Sequence, residues 1–485
     1  MDECEGKTGM HAILVPLPGQ GHINPAMQLA KKLASKGISI TFVLTQSWHN
    51  IITHAHSTKG SNAFNHAQNL GLDIRLVAIP DCLPGEFERW NKIQEFFRSL
   101  DNMESHVEEL IKNLNQSSAA PVSCIVADTM LGWAVPLAKK LRLLSVSFWT
   151  QNVSVFSITY NSYLEERRAE SVIHIPGVTP LQPADLPFWL TRSPDNVIAR
   201  VVARCFQTVR EADWVVANSF QGLEGHVVEA LWEKMRVYCV GPLLPSAYLD
   251  RSDPRDSVVG TSYRVEMDCT RWLDDKPPKS VIYVSFGSLL PMSKSQIEEI
   301  AMGLKESDYS FIWVLRHSSK ECTEVSSMLP DGFLKETKER GVVVPWCSQL
   351  KVLSHPSIGG FFSHCGWNST LESIAFGLPI LGFPLGVEQF TNCNLIADEW
   401  KIGLRLRSGN DTDKVIGRVE IAENVKRLME GEEMRRAAER LRDVVKIEVR
   451  EGGTSDSNLE CVVEGLNAKL SENKILSTSS PNGIL

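Results

Sequence analysis

Between residues 358 and 378 the chain sets a histidine, an asparagine, two hydroxyls and a carboxylate at spacings that could hold a nucleotide. Ile358-Gly359-Gly360-Phe361-Phe362-Ser363 reads as a short buried strand that ends in a tight turn. Leu371, Ile374, Ala375 and Leu378 then recur at helical spacing until Gly377-Leu378-Pro379 stops the helix. His364 and Gly366 therefore lie at a strand-to-helix turn, with Asn368, Ser369 and Thr370 around the first helical turn. Unpaired backbone N–H groups and the positive end of the helix dipole point outward there, which suits a diphosphate. Glu372, one turn further in, could not share that phosphate, but it could accept hydrogen bonds from ribose hydroxyls.

A second chemical signal stands near the start. His22 lies in the loop Gly19-Gln20-Gly21-His22-Ile23-Asn24-Pro25, where the glycines let the backbone come close to a ligand. A histidine titrates near neutrality and is well matched to removing a proton from a hydroxyl. Asp128 closes the run Cys124-Ile125-Val126-Ala127, again at a predicted strand end, where it could equally cap the element that follows. His49, His54, His56 and His66 fall in an irregular region and read as solvated.

These residues need elements to position them. Residues 11–17 read as a buried first strand, and Ala26, Leu29, Ala30, Leu33 and Ala34 mark one face of a helix whose first turn holds Pro25. Gly37 ends that helix and Ile38–Leu44 reads as the next strand, a β-loop-α-β unit that implies parallel strands. Further strands are expected at Ile74–Ala78, Ser123–Ala127, Leu144–Phe148, Trp214–Asn218 and Val237–Val240. This is one α/β domain, residues 1–245. Residues 246–278, interrupted by Pro, Ser, Asp and Arg, read as a surface linker. A second α/β series fills 279–455, with strands at Val281–Phe286, Ser310–Leu315, Gly341–Pro345, Ile358–Ser363 and Ile380–Phe383. Residues 456–470 read as a closing helix, and 471–485 as a disordered polar tail. In two doubly wound domains the site belongs in the cleft between them, at the carboxyl ends of the strands. His22, Asp128, Ser288 and His364 all follow a strand.

The composition narrows the classes. With 485 residues, 43% hydrophobic and 22% charged, the chain can bury more than one core. A net charge of −8 and a pI near 5.9 argue against a nucleic-acid partner. Eleven cysteines without CxxC pairs fit reduced thiols. No apolar run approaches the roughly 20 residues of a membrane span, and the polar, acidic first residues do not read as a secretory signal. The expectation is a soluble, cytoplasmic protein. Oligomeric state has no signature in the sequence.

Trp346-Cys347-Ser348-Gln349, His364-Cys365-Gly366-Trp367-Asn368-Ser369, Glu372, Gly377-Leu378-Pro379 and Glu388-Gln389 together resemble the signature box of plant UDP-sugar glycosyltransferases. The box runs from Trp346 to Gln389, the length of the family pattern, and the resemblance extends to the His22 loop and to Ser285-Phe286-Gly287-Ser288. It implies the GT-B arrangement, two Rossmann-like domains facing each other across a cleft. It also implies an inverting transfer of a sugar, glucose above others, from a UDP-sugar to a small-molecule acceptor. In the family's terms His22 is the base and Asp128 orients it. Trp346 stacks on uracil, with Cys347 beside it, and Gln349 and Glu372 hold the ribose. Ser288, His364, Asn368 and Ser369 hold the diphosphate. Trp367, Glu388 and Gln389 face the sugar, and Thr150 contacts sugar or phosphate. The family usually carries aspartate where this chain has Glu388, which moves the carboxylate by roughly 1.5 Å and bears on sugar choice.

No cofactor is implied, and no HExxH, matching DxD or Cys/His cluster suggests a metal. A dinucleotide oxidoreductase is disfavoured because Gly19-Gln20-Gly21-His22-Ile23-Asn24 lacks the third glycine of GxGxxG. A non-catalytic UDP-sugar-binding protein on the same fold is the remaining alternative, and the presence of His22 and Asp128 weighs against it. Segments at 83–97, 130–133, 149–155 and 188–206 are apolar and aromatic, which suits a hydrophobic acceptor such as a phenolic or terpenoid with a hydroxyl or carboxyl group.

Overall fold

The structure is a computed structural model, and it describes residues 9–55, 63–81, 92–117, 120–164, 173–193, 195–249, 253–256, 267–287, 290–316, 325–406 and 414–479. Among these, thirteen strands form two parallel sheets. The first domain holds β1 (His11–Val15), β2 (Ser39–Thr45), β3 (Ile74–Ile79), β4 (Cys124–Asp128), β5 (Leu144–Trp149), β6 (Trp214–Ala217) and β7 (Val237–Cys239). The second holds β8 (Val281–Ser285), β9 (Ser310–Val314), β10 (Gly341–Val344), β11 (Ile358–Ser363), β12 (Ile380–Gly382) and β13 (Gly403–Arg405).

Strand order is β3-β2-β1-β4-β5-β6-β7 in one sheet and β10-β9-β8-β11-β12-β13 in the other. The order reverses between β1 and β4, and again between β8 and β11. At each reversal the connections leave on opposite faces and open a crevice at the carboxyl ends of the strands. Val15 lies opposite Ala127 and Ser285 opposite Ser363, so both strand pairs end level and deliver their loops to the same crevice.

The strands are apolar on both sides because helices cover both faces. One face of the first sheet packs Ile13, Val15, Ile125 and Ala127 against Trp149, Phe156 and Phe206. The other packs Ala12, Leu14, Cys124 and Val126 against Ile23, Met27, Leu29 and Leu33 of the first helix, Gln20–Ser35. That helix begins at Gln20, ahead of the expected start. The glycine loop is itself the first turn, and Pro25 stands inside the helix. Proline has no N–H, so the Gly21 carbonyl four residues back has no helical donor.

Leu459, Val462, Val463 and Leu466 of the last helix, Thr454–Ser479, complete the second face of the first domain. Residues 471–479, read from sequence as part of a disordered tail, belong to this helix. Once a helix is nucleated each added residue gains a hydrogen bond, and after Gly465 no Pro or Gly intervenes before Pro481. Residues 480–485 lie outside the described residues. The described parts of 246–278 are also structured. Asp256 pairs with buried Lys31 of the first helix at 2.9 Å, and Leu273 is buried in the second domain.

The domains share an apolar core. Phe220, Leu223 and Leu244 of the first pack with Trp367, Leu371, Ile374, Val445 and Val449 of the second. No helix among the described residues is long and apolar enough to cross a membrane.

Candidate active site

His22 occupies the third position of the helix Gln20–Ser35. Its Nδ1 lies 2.6 Å from Asp128 Oδ2 and 2.9 Å from Thr150 Oγ1. An ionised carboxylate only accepts, so Nδ1 carries the proton and Nε2 keeps its lone pair. Asp128 is buried at the end of β4, and its Oδ1 accepts the Met130 N–H at 2.9 Å. The carboxylate thus closes the local turn and orients the imidazole at once. Burial works against a charged His22. The Asp128 charge and hydrogen bond, with the charge of Glu388 beyond, outweigh it and hold the imidazole above its usual 6.5.

Across the cleft, β11 runs into the turn His364-Cys365-Gly366 and the helix Trp367–Phe376. Cys365 takes a left-handed φ of 62°, and its carbonyl accepts from Asn392 Nδ2 at 2.9 Å. The His364 ring is wedged between two glycines. A Cβ at Gly287 would stand 2.4 Å from its Nε2, and one at Gly366 2.5 Å. Gly287 also has a φ of +75°. Burial and the nearby Arg316 charge push His364 down to about 4, so it is neutral near pH 7 and offers a hydrogen-bond donor without a charge. Its Nδ1 has no partner among the described residues. Asn368 Nδ2 donates at 2.8 Å to the Gly21 carbonyl that Pro25 leaves unpaired, which links the turn at 364–366 and its helix to the His22 helix.

Below the turn, Gln349 Nε2 donates to Glu372 Oε2 at 2.5 Å and to Ser369 Oγ at 2.9 Å. Tyr283 donates its hydroxyl to Gln349 Oε1 at 3.3 Å and so fixes which way the amide points. Burial pushes the Glu372 carboxyl up to about 7 against the opposing hydrogen bond from Gln349. Trp346 follows β10, is half-buried, and accepts the Met267 N–H on its carbonyl at 3.1 Å. Cys347 is buried, its thiol 3.7 Å from the Tyr283 hydroxyl.

On the remaining side, Gln389 Oε1 accepts the N–H groups of Leu385 and Gly386 at 2.8 and 3.2 Å, which fixes the direction of its amide. Glu388 is buried directly before the helix Gln389–Asn394, and burial raises its carboxyl pKa against the pull of nearby N–H groups and His22. The Trp367 indole is 3% exposed in the interdomain core and donates to the Asn218 carbonyl at 2.7 Å, while its backbone N–H is directed at the Glu388 carboxylate. Ser288 lies outside the described residues.

The comparisons with known proteins cover both halves. Residues 9–245 match the family described as "Glycosyltransferase, N-terminal domain" and residues 261–444 match "UDP-glucoronosyl and UDP-glucosyl transferase". UDP-glycosyltransferase 86A1 of Arabidopsis thaliana is 40% identical, over 93% of this chain and 94% of its own. Mogroside I-E synthase of Siraitia grosvenorii is 34% identical, over 94% and 98%. The chain belongs to the plant UDP-glycosyltransferase family.

The fold agrees. The structure of Os79 from O. sativa in complex with UDP superposes with a TM-score of 0.80 at 28% identity, covering 95% of this chain and 100% of that one. Medicago truncatula UGT71G1 complexed with UDP-glucose gives 0.78 at 26%, covering 94% and 98%. The glycosyltransferase therefore has the GT-B arrangement. Tyr283, Asn152, Asn392 and Arg316 carry no motif that marks them in its sequence. Asn152 Nδ2 and Asn392 Oδ1 meet at 2.5 Å across the domain boundary, joining the segment after Thr150 to the turn at Cys365. A buried polar pair from two domains is a tertiary fact, invisible to periodicity.

Proposed function

We propose that this glycosyltransferase moves glucose from UDP-glucose to a hydroxyl or carboxyl group of a small hydrophobic acceptor, a phenolic or terpenoid, with inversion at the anomeric carbon. The observation that carries the reading is the His22–Asp128 pair at 2.6 Å, with Nε2 left as the basic nitrogen and the phosphate turn linked to the same helix by Asn368.

The chemistry follows from those positions. Nε2 of His22 takes the acceptor's hydroxyl proton as the oxygen forms its bond to the anomeric carbon. The bond from that carbon to UDP breaks on the opposite side, so an α-linked donor gives a β-glycoside. Asp128 stabilises the imidazolium as it forms, the role of the aspartate in serine-protease triads. Charge developing on the departing diphosphate meets the N-terminus of the helix Trp367–Phe376, neutral His364, Asn368 and Ser288. Ser369, already accepting from Gln349, keeps its hydroxyl hydrogen for a phosphate oxygen. Trp346 stacks on uracil, Gln349 and Glu372 hold the ribose, and Glu388 and Gln389 hold sugar hydroxyls. Neither cofactor nor metal enters this scheme, in which the diphosphate charge is met by fixed donors. A cytoplasmic location belongs to the same proposal, since the buried cysteines of both cores are free thiols.

The test is a transfer screen of the full-length protein with UDP-glucose, UDP-galactose, UDP-glucuronate and UDP-xylose against phenolic and terpenoid alcohols. UDP release and the mass and anomeric configuration of the product are read. A β-glucoside is expected. In His22→Ala, transfer should fall about a thousandfold or more while UDP still binds. A variant that keeps most of its activity removes His22 as the base, and UDP-sugar binding without transfer to any acceptor would count against the acceptor class.

A further inference from the structure

The turn that carries Glu388 and Gln389 is held in a conformation that its own sequence disfavours. Val387 has a φ of 60°, in the left-handed region where a β-branched side chain crowds its own backbone. The local bonds, Leu385 and Gly386 to Gln389 Oε1, close the turn on its second-domain side. The other side is closed by the first domain. Phe188 donates its backbone N–H to the Val387 carbonyl at 2.9 Å, and the side chains of Phe188 and Val387 pack on the same first-domain core.

The segment bearing Phe188 is itself tied back to the second domain just beyond the turn. Thr391 Oγ1 donates to the Asp185 carbonyl at 2.7 Å, and Asn394 Nδ2 reaches Asp185 Oδ2 at 3.4 Å. Arg405 of β13 places Nη1 3.2 Å from both carboxylate oxygens of Asp185, with Nη2 3.3 Å from Asp398. Asp185 is 4% exposed. Arg405 is only partly buried, and such an ion pair contributes little net stability beside an apolar pair of the same shape, but it can hold two segments in register. Here the register is that of the 183–191 segment against the 385–394 turn and helix.

We propose that Val387 is a positioning residue for donor-sugar selection, clamped by the Asp185–Phe188 segment so that its left-handed backbone aims the Glu388 carboxylate at the sugar. The inference rests on the reading of Glu388 and Gln389 as the sugar-facing pair. It makes sugar choice depend on a contact from the opposite domain, and on a strained residue one position before a buried carboxylate.

Full-length wild type, Val387→Gly, Val387→Asn and Asp185→Asn are compared with one acceptor. The readouts are kcat and KM for UDP-glucose and UDP-galactose, competitive inhibition by UDP, and Tm. Glycine takes positive φ freely and lets the turn relax. Its expected signature is a Tm at or above wild type, UDP inhibition unchanged, and a glucose-over-galactose ratio of kcat/KM lowered about tenfold, the scale of one misplaced hydroxyl contact. Asparagine tolerates the left-handed region without the apolar contact and should fall between glycine and valine, which keeps the comparison open if glycine yields no folded protein. Asp185→Asn should lower the same ratio. A stabilised glycine variant with its ratio intact overturns the proposal, and so does loss of UDP inhibition in step with selectivity, which marks general damage. A wild type indifferent to the sugar defeats the underlying reading before any variant is compared, and the proposal with it.

Discussion

Glu372 sits one turn inside the phosphate-turn helix, and burial holds its carboxyl at about 7 against an ordinary 4.5. Below pH 4.5 it is protonated folded or unfolded and costs nothing. Above 7 it is ionised in both states, and the folded state bears the full cost of the buried charge, roughly 3–4 kcal/mol at 1.36 kcal/mol per unit. Glu372→Gln should therefore raise Tm at pH 8 and leave it unchanged at pH 4, while the proposed ribose contact predicts a higher KM for the UDP-sugar. A thermal melt at the two pH values checks the sign. His22 runs the other way for catalysis. As the proposed base it must be neutral to take a proton, so the rate should rise with pH through a pKa that Asp128 lifts. In Asp128→Asn that rise should move to lower pH while the plateau falls about a thousandfold or more. A rate–pH profile that keeps its midpoint would show that Asp128 does not set the base. Sequence alone brings out His22, Asp128 and Glu372 because each lies in or just after a readable strand or helix. Tyr283 acts through Gln349, 66 positions along the chain, and no local pattern shows that.

At the scale of elements, the strand-turn-helix unit 358–376 is legible because strand, turn and helical period follow one another without interruption. Its tightest requirement is not. Two glycines from different strand ends, Gly287 and Gly366, make the slot for the His364 ring. Gly366→Ala places a methyl 2.5 Å from Nε2 in an otherwise ordinary backbone, φ −60°, so the whole effect falls on the ring. The expected result is a displaced His364 and, from loss of the proposed phosphate contact at about 1.4 kcal/mol, a UDP-sugar KM about tenfold higher, with little change in Tm. Titration with UDP by calorimetry reads it directly. An unchanged affinity would show that the ring moves aside without consequence. The first helix teaches a similar point. A proline near a helix start reads as a first-turn residue, yet here the helix begins earlier and Pro25 instead frees the Gly21 carbonyl for Asn368. The three residues of β13 are too few to show a period, and pairing with β12 alone defines them.

For the molecule as a whole, the two switch points are implied by the order of strands and helices, whereas the packing that joins the halves is not. Apolar spacing tells which face of a helix is buried, but not which domain covers it. The last helix is the clearest case. Leu459, Val462, Val463 and Leu466, each at 3% exposure or less, come from the far end of the chain and close the core around Met10, Leu14, Leu29 and Leu33 of the first domain. At about 1.5–3 kcal/mol for each buried aliphatic side chain, their removal forfeits roughly 6–12 kcal/mol, as much as the net stability of a typical domain. A chain ending at Gly453 should therefore lose the first domain's cooperative unfolding transition and precipitate on expression. A chain ending at Leu470 keeps all four side chains and drops only residues of which 471–473 are exposed, so its Tm should stay within a few degrees of full length. Val463→Ala, which keeps the helix and opens a small void, should cost about 1–3 kcal/mol and lower Tm without loss of solubility. If the chain ending at Gly453 melts like the full-length protein, the first domain closes its core without the returning helix, and the two halves owe their union to the Trp367 core and the polar contacts of the cleft.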